Sequence, residues 1–152
     1  MIPSDYKVVL AVAPGAAVTG GAFAAAVVDC AGFRYAEYLV HFGAVGANPT
    51  ALRLEESDAA DMTGATPVPG SVVGTDPTDD GGPSVLTAAA LANKTTKFEV
   101  DLRFRKRYQR VVAAAGAGAT YLAAACHLKR GEQVPVTTAQ KGCSQVLMCP
   151  RK

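Results

Sequence analysis

The side chains of this chain that could hold a metal or move a proton are two histidines, four cysteines and a scatter of carboxylates, and their spacing argues against either use. His41 and His127 each stand without a second ligand at helical or hairpin spacing, whereas zinc or a general base needs partners arranged around it. Cys30, Cys126, Cys143 and Cys149 form no C-x-x-C pair. Cys30 ends one apolar run and Cys126 lies inside another, the usual setting of a buried thiol. The amino-terminal segment has no secretory pattern, so a reducing compartment and free thiols are expected, although a bridge between Cys143 and Cys149 is conceivable. The run Gly15-Ala16-Ala17-Val18-Thr19-Gly20-Gly21 has the glycines of a phosphate loop but lacks its Lys and Ser/Thr. Asp76-Pro77-Thr78-Asp79-Asp80-Gly81 offers carboxylates without EF-hand spacing or the bidentate Glu that calcium requires. No Ser occupies a nucleophile elbow, and no Cys has a recognisable catalytic spacing. The expectation is therefore no catalytic residue, no metal site and no cofactor: a binding or structural protein rather than an enzyme.

Recognition chemistry is the remaining kind, and it concentrates in one basic knot. Arg103, Arg105, Lys106, Arg107, Tyr108 and Arg110 are the candidate partner-binding residues, with Arg107 and Tyr108 as possible anchors because Tyr and Arg are enriched at interface hot spots. The net charge of +2 hides a polarised arrangement. Glu55, Glu56, Asp58, Asp61, Asp76, Asp79 and Asp80 crowd the middle, while Lys94, Lys97 and the knot crowd the next third. Two outcomes are open: an oriented contact with a partner, or partial neutralisation of the two blocks within the fold. Tyr108 is equally open, as an anchor or as a packed strand aromatic.

The elements that must position this knot are strands. Residues 97–104 alternate, with Phe98, Val100, Leu102 and Phe104 on an inward face and Lys97, Glu99, Asp101 and Arg103 outward, and the pattern runs on into the knot. Further strands are predicted at 6–13, 22–29, 34–42, 51–55 and 119–129, with a short terminal one at 146–148, each bounded by Gly, Pro or polar clusters. Gly43 and Gly46 are read as ending the 34–42 strand, and Gly116 and Gly118 as a turn. Residues 61–84, dense in Pro and Gly, form a long excursion of the kind that is functional or disordered. Residues 85–93 have helical propensity, but an isolated helix of nine residues is marginal, so the stretch is open between one short helix and a strand. With 152 residues, one domain is expected. Its fold class is all-β: an antiparallel sandwich, jelly-roll-like, with a core of small side chains, since the apolar share of 49% includes no Trp. The longest uncharged stretch, 8–28, is broken by Pro14 and three glycines and is too interrupted for a membrane helix, so a soluble chain is expected.

The motifs Val27-Val28-Asp29-Cys30-Ala31-Gly32-Phe33-Arg34, Gly43 after a strand, Leu52-Arg53-Leu54-Glu55-Glu56-Ser57-Asp58, and Lys106-Arg107-Tyr108 through Val112 are similar to those of small tailed-bacteriophage head proteins of the capsid cement or decoration type. The resemblance spans roughly residues 27–128, with Cys30 where such sequences often have Thr and with a longer 61–84 excursion. It implies a β-sandwich made in the bacterial cytoplasm that binds the major capsid protein on the outside of the virion, self-associating as a dimer or trimer, with 1–5 and 131–152 as possible extended arms. No membrane partner is implied. Two other binding modules compete. A nucleic-acid-binding barrel would use the knot with aromatics, but inward-facing Phe98 and Phe104 cannot stack bases on the charged face. A carbohydrate-binding sandwich lacks the usual Trp platform.

Overall fold

A computed structural model describes residues 6–76, 84–131 and 141–143. Among these residues eight strands form: β1 (Tyr6–Val12), β2 (Val28–Asp29), β3 (Tyr35–Val45), β4 (Ala51–Ser57), β5 (Thr66–Pro67), β6 (Thr95–Asp101), β7 (Tyr108–Ala114) and β8 (Thr120–Lys129), with one helical turn α1 (Ala88–Leu91) between β5 and β6. They make two antiparallel sheets of order β1-β8-β3-β6 and β2-β7-β4-β5. Every pairing across the middle of the chain is present: β1 with β8, β2 with β7, β3 with β6 and β4 with β5. Nested pairs of this kind are one long hairpin rolled up so that alternate rungs fall into opposite sheets, which is the strand order of a jelly roll. The all-β sandwich expected from the sequence is the fold.

Alternation builds the core. In β3, Ala36, Tyr38, Val40 and Phe42 are buried, and in β8, Thr120, Leu122, Ala124, Cys126 and Leu128 are. Leu52 and Leu54 of β4 and Val111 and Ala113 of β7 face them from the other sheet. Tyr38 is the largest fully buried side chain among the described residues, and its hydroxyl donates to Gln109 Oε1 across the sandwich at 3.1 Å. Cys30 and Cys126 are buried as expected, and burial pushes both thiols up to about 12. Cys143 is also a free thiol, whereas Cys149 and the strand predicted at 146–148 lie outside the described residues.

Three expectations differ from the structure for identifiable reasons. First, the 97–104 strand stops at Asp101. Its carboxylate accepts the Arg103 N–H (3.1 Å) and caps a 3-10 turn, Leu102–Phe104, so the period of two is lost; Leu102 stays buried but Phe104 is 91% exposed. Second, the 22–29 run is a strand only at Val28–Asp29. The Phe23 N–H reaches Ala113 O of one sheet and the Ala26 N–H reaches Ala11 O of the other, so this alanine-rich segment stitches the open side of the sandwich. Third, β3 continues past Gly43 to Val45 through a bulge. Gly116 and Gly118, read as a turn, lie in the bend from β7 to β8, where close approach requires them: a Cβ on Gly118 would sit 2.3 Å from the Gly46 carbonyl carbon and one on Gly116 2.1 Å from Asn48 O.

The described part of the 61–84 excursion is tied down. Val68 N–H donates to Leu54 O and Val73 N–H to Leu52 O, extending the second sheet beyond β5, and Ser71 is buried with its hydroxyl bonded to Val68 O. Asp76 Oδ2 accepts the Val72 N–H at 3.0 Å. At the other end, Lys141 O accepts the Val8 N–H at 2.8 Å, laying 141–143 along the outer edge of β1, where a Cβ on Gly142 would meet Val8 O at 1.8 Å.

Candidate interaction surface

The crossover from β6 to β7, residues 102–107, carries the basic knot from one sheet to the other. Antiparallel pairing of β4 with β7 sets Glu55 opposite Arg110 and Glu56 opposite Gln109, which brings the acidic block onto the basic one. Arg110 donates to Glu55 Oε2 (2.9 Å) while Arg53 holds Glu55 Oε1 (2.6 Å). Burial pushes the Glu55 carboxyl up, but the hydrogen bonds from Arg110 and Arg53 outweigh it and leave it below the usual range. Arg105 reaches Glu56 Oε1 at 3.5 Å, and Glu56 Oε2 accepts the Lys106 backbone N–H at 3.3 Å. Arg107 clasps Asp29 with two bonds of 2.9 and 2.7 Å and lies 4.9 Å over the half-buried Tyr108 ring. Arg103 grips Asp101, and the Asp101 carboxyl falls to about 2 because of that bond. Every arginine of the knot is thus partnered by a carboxylate of the same chain.

Sequence reasoning named these six residues and missed the one they frame. Phe104, read as an inward strand residue, stands on the ion-paired turn between Arg103 and Arg105 as the most exposed large apolar side chain described. The signal was present in Asp101: a short carboxylate directly before the buried Leu102 could leave the strand and cap a turn.

A second feature lies on the outer face of β3, β6 and β8. Tyr35, Glu37, Glu99, Asp101, Lys129 and Arg130 line an open groove of about 570 Å³. Its charges are already paired, Lys129 with Glu37 and Lys97 with Glu99, and Arg130 covers one face of Tyr35 at 5.3 Å. His127 lies 3.8 Å from Glu37 with its ring tilted against Tyr6, and His41 sits 2.9 Å from the Thr95 hydroxyl.

No protein-family model matches this chain, and no curated protein matches it significantly. The functional reading therefore rests on the fold and this surface. Among the described residues, no three His, Cys, Asp or Glu side chains converge as a metal-binding group, and no helix is long and apolar enough to cross a membrane. What the surface can offer is a rigid aromatic projection with a polar, charge-balanced surround.

Proposed function

We propose that this protein is a structural virion protein that decorates and stabilises a bacteriophage capsid by docking on the outer surface of the major capsid protein lattice. The carrying observation is Phe104, 91% exposed on a turn locked by the Asp101 carboxylate. An aromatic ring left in water gains its burial energy only on docking, and a turn already fixed loses little freedom when it docks. Paired arginines next to such a ring form the polar rim that protein interfaces use. The jelly-roll order fits capsid-associated and lectin domains alike, so it supports the reading without carrying it.

One observation favours a second reading. Phe104 does not face inward, so the geometric objection to base stacking is removed for this residue, though it stands for buried Phe98. Against nucleic acid stands the pairing of Arg103, Arg105, Arg107 and Arg110 with carboxylates, because phosphate binding draws on cations free to displace counterions.

Co-sedimentation with capsids of the virus that encodes the chain tests the proposal. Wild type should pellet with capsids, and Phe104→Ala, folded as well as wild type, should not. A wild-type protein that never pellets with capsids sinks the reading, and salt-sensitive binding to single-stranded DNA that Phe104→Ala abolishes would put the second reading in its place.

A further inference from the structure

The β1-β8-β3-β6 sheet packs one face on the core and presents the other outward. Strand register sets two rows of side chains across that outer face. Tyr6, Lys129, Tyr35 and Asp101 lie opposite one another on the four strands, and Val8, His127, Glu37 and Glu99 form the next row. Neighbouring strands are about 4.8 Å apart, so the two tyrosines stand about 10 Å from each other with Lys129 between them. The groove of about 570 Å³ lies over these rows, and Tyr6 stands on its β1 side, beyond Lys129. A groove of that volume falls within the range of small-molecule sites.

Arg130 gives the groove a built wall. Its backbone is left-handed, with φ 52°, a conformation that a long side chain seldom adopts, and its guanidinium lies 5.3 Å over the Tyr35 ring. Backbone outliers of this kind cluster at binding sites. The paired charges also keep hydrogen-bonding capacity. A carboxylate has about four acceptor positions and an ammonium three donors, so the Lys129–Glu37 pair satisfies only part of either group.

The lining limits what can bind. Glu37, Glu99 and Asp101 repel an anion, and Lys129 and Arg130 repel a cation. A neutral ligand whose groups both donate and accept can bond to carboxylates and cations alike, and a sugar hydroxyl does both. A sugar ring also has an apolar face of C–H bonds that packs on an aromatic ring. We propose that this groove binds a neutral oligosaccharide, with one pyranose ring against Tyr35, a linked ring against Tyr6, and hydroxyls bonded to Glu37, Glu99 and Lys129. Two tyrosines brought into one row by strand pairing stand in for the missing Trp platform. The proposal does not rest on capsid binding, since it concerns the isolated protein.

Amide chemical shifts of the full, nitrogen-15-labelled chain, titrated with a panel of neutral oligosaccharides of differing linkage, test it. At least one should shift the amides of residues 35–37, 99–101 and 127–130 and leave those of β4 and β7 in place. Sodium chloride should not weaken that binding, because a neutral ligand displaces no counterions. Tyr35→Ala and Tyr6→Ala should each lower the affinity at least roughly tenfold. Arg130→Gly suits the left-handed backbone, so it should unfold at no lower temperature than wild type and still bind roughly tenfold more weakly. No shift with any member of the panel, shifts that map elsewhere, or wild-type affinity in Tyr35→Ala and Arg130→Gly overturns the proposal. Tighter, salt-sensitive binding of a sulfated oligosaccharide overturns it as well.

Discussion

Phe98 and Phe104 sit six positions apart and have opposite fates, which makes them a matched test of the surface. Phe98 is 9% exposed, so Phe98→Ala should cost about 3–5 kcal/mol in denaturant unfolding. Phe104→Ala should shift stability by no more than about 0.5 kcal/mol while abolishing the proposed capsid docking. Thiol chemistry gives a second residue-scale prediction. Burial holds Cys30 and Cys126 as neutral thiols far above physiological pH, whereas Cys143 is partly exposed. Iodoacetamide at pH 8 should therefore label Cys143 in the native protein and reach Cys30 and Cys126 only after denaturation, read by peptide mass spectrometry. The unpartnered Nε2 of Gln109, fully buried beside the Tyr38 hydroxyl bond, is a polar defect of the core among the described residues for which the structure gives no reason.

At the scale of elements, glycines mark where backbones touch. Gly118→Ala would force the β7–β8 connection away from Gly46, and should destabilise by about 1–3 kcal/mol or more in thermal or denaturant unfolding. Strand existence was legible wherever one face is buried: β3 and β8, which the runs 34–42 and 119–129 located, both alternate between buried and more exposed residues. Strand endings were less so. β6 ends because Asp101 caps a turn, and the 22–29 run divides its hydrogen bonds between two sheets, a tertiary arrangement that apolar composition does not reveal. Of the interaction surface, the six basic and aromatic positions were legible as a cluster. Their neutralisation was not, because it depends on β4 lying against β7, a pairing over 50 positions in the chain such as Arg110 to Glu55. Without that pairing the knot reads as free charge; with it, the exposed ring is the distinctive group.

For the whole molecule, acid is the natural stress. Bonds to basic partners hold Asp29, Glu37, Glu55 and Asp101 below their ordinary values, Asp101 at about 2. A carboxyl lowered in the folded state adds stability that is complete above its unfolded value and disappears as pH falls through the folded one. The unfolding temperature should thus owe no change to these groups between neutrality and about pH 5, and fall from about pH 4 toward pH 2. Asp101→Asn should flatten the lowest part of that decline. The nested pairing of β1 with β8, β2 with β7, β3 with β6 and β4 with β5 has its own consequence for synthesis. Only the innermost rung joins strands that emerge together from the ribosome, and Tyr6 waits for Lys129 before its rung can close. Loop entropy must be spent before such distant contacts return anything, so folding belongs to the slow, millisecond-to-second class and its outer rung closes only after Lys129 has been made. Until then the nascent chain carries its first strand unpaired, a period in which chaperones rather than the fold must keep it from its neighbours.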